Sequence, residues 1–134
     1  MLNKNEMLYR RVNASFENQN FLKLIGAALK HVEEGLVIIS CTKKDSLTQQ
    51  RGLIHGGVVA TLADVACGYA ALSTMPEGTE VLTVELKVNL IRPAVSHKII
   101  ATGRVIKSGR TLVITEATVT DDTGEKSLPK CWLL

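Results

Sequence analysis

Aromatic side chains are scarce in this chain. One Trp, two Tyr and two Phe make up 4% of its 134 residues, so a core has to be assembled from Val, Ile, Leu and Ala. Cysteine is sparse and scattered: Cys41, Cys67 and Cys131 form an odd set with no C-x-x-C spacing. That argues against a disulfide framework and against a zinc site. Reduced thiols in a cytosolic, cytoplasmic protein are the plain reading. The formal net charge of +3 is small and dispersed, which argues against a nucleic-acid partner while leaving room for a phosphorylated ligand. The opening residues Met-Leu-Asn-Lys-Asn-Glu-Met lack the apolar centre of a signal peptide. No run approaches the roughly 20 apolar residues of a membrane span, so no membrane partner is expected. Low-complexity segments and internal repeats are missing as well.

The composition present is an ordinary globular balance, 46% apolar and 22% charged. The length suits a single domain over residues 1–134 with a real core. Residues 7–24 carry a weak helical pattern. Two apolar runs, residues 24–31 and 35–41, flank Glu33-Glu34-Gly35 and read as a hairpin. Residues 45–52 are polar and read as a loop. Residues 56–74 form the longest apolar-periodic segment, a helix of roughly 28 Å, which Met75-Pro76-Glu77-Gly78 brings to a stop.

Everything beyond that helix reads as antiparallel sheet. Residues 81–90 alternate closely, with Leu82, Val84, Leu86, Val88 and Leu90 on one face and Thr83, Glu85, Lys87 and Asn89 on the other. This is the pattern of a half-buried strand. Further strands are expected at 98–107, 111–120 and 126–134, with turns at Ser108-Gly109-Arg110 and at residues 121–125. One long apolar helix with five or six antiparallel strands is an α+β arrangement, a curved sheet wrapped around a central helix. The small residues Ala60, Ala63, Ala66, Gly68, Ala70 and Ala71 would let the sheet approach the helix closely.

The helix is also where the chemistry concentrates. It opens with His55-Gly56-Gly57 and is apolar almost all the way round, with Asp64 two turns in. A helix without a polar face is a buried one, and burying a carboxylate is costly unless it has a purpose. An Asp on an arbitrary helix usually faces solvent. Here only Thr61 and Tyr69 are polar among its neighbours between Val58 and Leu72, and desolvation makes a carboxylate a stronger base. The glycines leave the first backbone N–H groups uncovered, where partial positive charge can meet a ligand oxygen. A Gly-Gly pair before a helix is equally a tight turn. His55 reads better as a residue that orients this turn than as a base.

The spacing constrains how these groups can act. Asp64 lies seven or eight residues beyond the glycines, roughly 10–12 Å along the axis. A reacting carbonyl carbon needs its oxyanion donor and its attacking group within about 3 Å. One helix cannot place both on one carbonyl, so if both act on the same bond they should come from different subunits. A symmetric dimer, or a dimer of dimers, with sites at its interface is therefore expected.

Several motifs coincide: Gly52-x-x-His55-Gly-Gly, Leu62-Ala-Asp64, Arg92-Pro93-Ala94 and Lys107-Ser-Gly-Arg-Thr-Leu112. Together, from about residue 15 to the end, the chain resembles the hotdog-fold acyl-CoA thioesterases of the phenylacetate-degradation (PaaI-like) branch. The resemblance implies hydrolysis of an acyl-CoA thioester with no cofactor or metal, coenzyme A being part of the substrate. It implies that the Gly56 N–H polarises the carbonyl and that Asp64 of the partner subunit activates water or attacks directly. Thr83 stands where the family often places a hydroxyl that helps hold the water. Gln49 stands where the family often carries Asn, keeping the amide with one more methylene. His55 and Gly57 complete the turn, and Arg92, Lys107, Gly109 and Arg110 are candidates for contacting the coenzyme. Two alternatives stay beside this one. A hotdog hydratase or dehydratase pairs its Asp with a His a few residues later, and nothing between Asp64 and His97 supplies one. A non-catalytic acyl-CoA binding protein would bind without turnover.

Overall fold

The computed structural model describes residues 1–122 and 127–133. Helix α1, Lys4–Glu17, starts in a capping box: the Asn3 side chain accepts from the Glu6 N–H while the Glu6 carboxylate accepts from the Asn3 N–H. Its buried residues, Val12 and Phe16, are one turn apart and pin α1 to the core. Lys4 and Glu34 pair at 2.8 Å across exposed surface, tying the start of α1 to the first hairpin. Helix α2, Asn20–Ile25, ends at Gly26, whose φ of 75° is the left-handed C-terminal cap. The apolar run expected to start a strand at Leu24 therefore first finishes a helix, and strand β1 spans Ala27–Glu33. Strand β2, Leu36–Thr42, returns antiparallel, with Glu33 opposite Leu36.

After a short 3₁₀ turn at Asp45–Leu47 comes helix α3, Gly56–Ser73. Three strands follow the helix and a short edge segment: β4 at Lys98–Ser108, β5 at Val113–Asp121 and β6 at Ser127–Leu133. The short segment, β3, is Leu86–Val88 and pairs with β6. The sheet has six antiparallel strands in the order β1-β2-β4-β5-β6-β3, wrapped on α3 as the α+β expectation had it. Of the turn expected over 121–125, residues 123–125 lie outside the described residues, as do Lys126 and Leu134 at the ends of the last expected strand.

The inner face of the sheet is written in alternation. Val37, Ile39 and Cys41 of β2, Ile99, Ala101 and Gly103 of β4, and Thr115, Ala117 and Val119 of β5 are all buried. Register aligns them across the strands, with Val37, Gly103 and Ala117 in one row and Ile39, Ala101 and Val119 in the next. The first row is where sheet and helix come closest: a Cβ on Gly103 would run into the Ala66 carbonyl group. Ala63, Ala66, Ala70 and Ala71 are buried on the helix side as expected. Ala60 and Gly68 are not. They are half-buried and turned away from the sheet, and a Cβ on Gly68 would meet nothing within 4 Å.

Two further expectations change. Helix α3 is not enclosed on all sides by its own chain: Gly57, Ala60, Thr61, Asp64, Val65 and Gly68 form a half-buried to exposed stripe at helical spacing. By length and composition α3 could cross a bilayer, but over half of it is buried inside the fold, which makes it a core helix. The strand expected over 81–90 is reduced to three residues; Val81 and Val88 pack against the core, but most of its apolar members are uncovered, Leu82 at 89% and Val84 at 74% of full exposure. The physical reason is position. This segment is the last strand of the sheet, so β6 offers it ladder bonds on one side only. Neither Cys41 nor Cys67 is in a disulfide. Burial pushes the Cys41 thiol above its usual range, and the thiol donates to the Ile25 carbonyl at 3.3 Å.

The contrast between the two helix-proximal glycines is testable by urea unfolding. Gly103→Ala forces backbone apart and should lower stability by about 3 kcal/mol, the upper range for overpacking. Gly68→Ala should leave stability unchanged or raise it by up to about 1 kcal/mol.

Candidate active site on the core helix

Helix α3 divides its chemistry between two cavities. At its N-terminus a cavity of about 290 Å³ is lined by Gln49, Gly56, Leu90, Ile91 and Arg92. Two turns on, a cavity of about 540 Å³ is lined by Asp64, Gly68, Tyr69 and Thr83, together with Arg11 and Ser15 of α1 and Gln19, which precedes α2.

The N-terminal cavity is built around one backbone group. His55 caps the helix, its Nδ1 accepting from the Gly57 N–H at 2.9 Å. Its carbonyl accepts from Val58 and Val59 at 2.9 and 3.3 Å. The Val59 bond is the first regular turn of the helix; with the His55 N–H donating to the Leu47 carbonyl at 2.8 Å, three of the four N–H groups a helix start leaves over are accounted for. The fourth, on Gly56, has no acceptor among the described residues. His55 thus holds the turn, as its neighbours suggested, and Gly57 gives its N–H to that cap instead of to the cavity. A side chain at Gly56 would meet Leu90 Cδ1 at 2.8 Å, so glycine here keeps the amide reachable under Leu90. Gln49 lies in the same wall, where its Oε1 accepts from the Arg51 and Leu53 N–H groups and closes its own loop.

The second cavity is built around a carboxylate. Asp64 is half-buried, and its Oδ1 accepts from the Thr83 hydroxyl at 2.7 Å. Strict alternation over 81–90 would have turned Thr83 away, but the chain is irregular over 79–85, and this frees Thr83 to reach Asp64. Arg11 steadies the approach to the same segment: it donates to the Met75 and Pro76 carbonyls just beyond α3, each at 2.8 Å, and to the Thr79 hydroxyl at 3.5 Å.

The structure therefore brings Asp64 together with Thr83, and Gly56 with Gln49, His55 and Arg92, but keeps the two sets apart. Lys107 near the end of β4, and Gly109 and Arg110 on the β4–β5 turn, are exposed and line neither cavity. Arg11, Ser15 and Gln19 were missed by sequence reasoning. The only sequence signal for them is that Ser15 and Gln19 stand one helical turn apart, and their partner Tyr69 is some fifty residues away.

A profile of the Thioesterase superfamily matches residues 51–128. A crystal structure of a thioesterase family protein from Silicibacter pomeroyi superposes with a TM-score of 0.90 at 37% identity, covering 94% of each chain. The PaaI protein of E. coli, from the phenylacetic acid degradation operon, superposes with a TM-score of 0.88 at 20% identity, covering 98% of this chain and 93% of that one. Human acyl-coenzyme A thioesterase 13 is 28% identical over 123 residues, 90% of this chain and 87% of the relative. The fold is the hotdog fold. Because the family match runs from the turn before α3 through β5, over more than half of the sequence, the chain belongs to the Thioesterase superfamily.

Proposed function

We propose that this thioester hydrolase cleaves acyl-CoA to a free acid and coenzyme A in two equivalent sites, each completed by two copies of the chain. The observation that carries the reading is the separation on α3 of one unshared helix N–H from one hydroxyl-bound carboxylate. The substrate carbonyl oxygen takes the Gly56 N–H of one copy, where the helix end stabilises the charge that develops on it. Asp64 of the other copy takes a proton from water, and the water oxygen attacks the thioester carbon. The Thr83 hydroxyl holds one carboxylate oxygen and leaves the other to accept from that water. Collapse of the tetrahedral intermediate expels the coenzyme A thiolate, which recovers the proton from Asp64. No cofactor takes part.

Arg92, in the wall beside Gly56, is the cation placed to meet the coenzyme's phosphates. Lys107, Gly109 and Arg110 serve only where the nucleotide reaches beyond that cavity. Gln49 holds the loop that shapes the carbonyl's approach. A cytoplasmic setting fits the substrate.

The uncovered surface supports the pairing of two copies. Leu82, Val84, Leu86, Leu90 and Ile91 are exposed along a sheet edge, beside the bare stripe of α3. Apolar surface at an unpaired edge invites another chain, and a second copy is the partner that also completes the site.

Thiol release from a panel of aromatic and aliphatic acyl-CoAs should show turnover; a folded dimer inert on all of them would refute hydrolysis. Asp64→Asn should lower kcat by 100-fold or more, the scale of general-base catalysis, with an unchanged unfolding midpoint. Single turnover in ¹⁸O-labelled water should put the label directly into the acid, whereas label appearing first in Asp64 would make the carboxylate the nucleophile.

The pairing makes its own prediction. Sedimentation should give a dimer or a multiple of one, and Leu82→Glu with Val84→Glu should yield monomers without activity. Mixing inactive Asp64→Asn and Gly56→Val chains should restore part of the activity; failure of that rescue in demonstrated mixed dimers would place both groups in one chain.

A further inference from the structure

The cavity holding Asp64 ends in a hydrogen-bonding cluster that the hydrolytic steps do not use. Tyr69 is 5% exposed, and its hydroxyl sits 3.0 Å from Ser15 Oγ and 2.6 Å from Gln19 Nε2. Phe16 packs against the Tyr69 ring with centroids 5.9 Å apart, fixing where that hydroxyl points. All three polar residues line the cavity.

Counting protons shows what the cluster is missing. Gln19 Nε2 has no acceptor role, so it donates to the Tyr69 oxygen. Tyr69 and Ser15 own two hydroxyl protons, and their mutual contact uses one, whichever of them donates. One O–H proton is left over in either arrangement, with no further acceptor among the described residues. Gln19 Oε1 adds an acceptor beside it. Ser15 and Gln19 are exposed, so water takes up that proton in the free protein; a hydroxyl seated there replaces the water's hydrogen bonds, whereas a methyl displaces the water and replaces none of them, which is costly.

The path from the reacting centre to this cluster is open. Tyr69 follows Asp64 by five residues, about 7.5 Å along the axis. Gly68 lies between them with no atom within 4 Å of the place a Cβ would take, so the cavity runs past the helix at that point. We propose that Ser15, Gln19 and Tyr69 form a specificity subsite for the far end of the acyl group, selecting acyl-CoAs that carry a hydroxyl about 7 Å from the thioester carbon. This rests on the hydrolase reading above for the direction in which the acyl group lies.

Matched isosteres test it. ω-Hydroxyhexanoyl-CoA and heptanoyl-CoA differ only in a terminal hydroxyl against a methyl. The native protein should favour the hydroxylated substrate by about tenfold in kcat/KM, carried mainly by KM, although hydrophobicity alone favours heptanoyl. Tyr69→Phe, which removes one oxygen and keeps the ring, and Gln19→Leu should each bring the ratio to one or below. A native preference for heptanoyl, or a hydroxyl preference that survives Tyr69→Phe, would overturn the subsite. The unreactive thioether analogues of the same pair, titrated by calorimetry into the intact dimer, read the discrimination without chemistry. Turnover of neither thioester counts against hydrolysis, while equal thioether affinities, or no binding of either, count against the subsite.

Discussion

Eight residues of rigid helix lie between the Gly56 amide and Asp64, about 12 Å along the axis, and the rest of the molecule is arranged around that distance. An α-helix cannot bend enough to bring the two groups onto one carbonyl carbon. Each therefore has its own cavity, its own supporting residues and its own segment of covering chain. His55 and Leu90 frame the amide; Thr83 and the residues steadied by Arg11 frame the carboxylate. On the proposed reading the single chain carries two half-sites, which would explain why the features of one site sit in two places.

That distance is useful only if the helix is held still, and the sheet holds it. The contact between Gly103 and the Ala66 carbonyl leaves no room for a methyl group, so the sheet clasps α3 backbone to backbone at its middle. On one side of that row the inner face enlarges again through Ile39, Val119 and Ile99, and on the other through Val105 and Thr115. Small residues at the point of approach and branched ones flanking it curve the sheet around the helix. Ser73 adds a polar tie at the far end: its hydroxyl accepts from the Gly35 N–H at 2.7 Å and donates to the Ala70 carbonyl. The catalytic spacing is thus fixed by packing as well as by helix geometry.

Much of this was legible in the sequence, for identifiable reasons. The α3 boundaries, the first hairpin and strands β4 and β5 follow from local periodicity and punctuation, which need no knowledge of distant contacts. The same holds for the separation of Gly56 from Asp64, because helix rise alone decides it. Residues 81–90 were misread because alternation reports which side chains share a face, not what covers that face. The pattern is that of a buried strand, and in one chain most of its apolar face is uncovered. Thr83 was misplaced for the same reason: an edge segment with few ladder bonds departs from alternation at little cost, and a carboxylate nearby rewards the departure. Ser15, Gln19 and Tyr69 meet only through tertiary packing, so no local pattern links them.

The uncovered surface and the divided site have one physical solution between them. The stripe of α3 left bare by its own sheet runs through Gly57, Thr61, Asp64 and Gly68, so whatever covers the apolar edge beside it also covers the carboxylate. Covering that surface excludes water from Asp64 and strengthens every electrostatic interaction it makes. On the proposed reading it also brings a second copy's helix start within reach of the carboxylate. Association then does more than stabilise the fold: on that reading it switches on the chemistry, and a chain that stays alone keeps its carboxylate solvated and away from any polarised carbonyl.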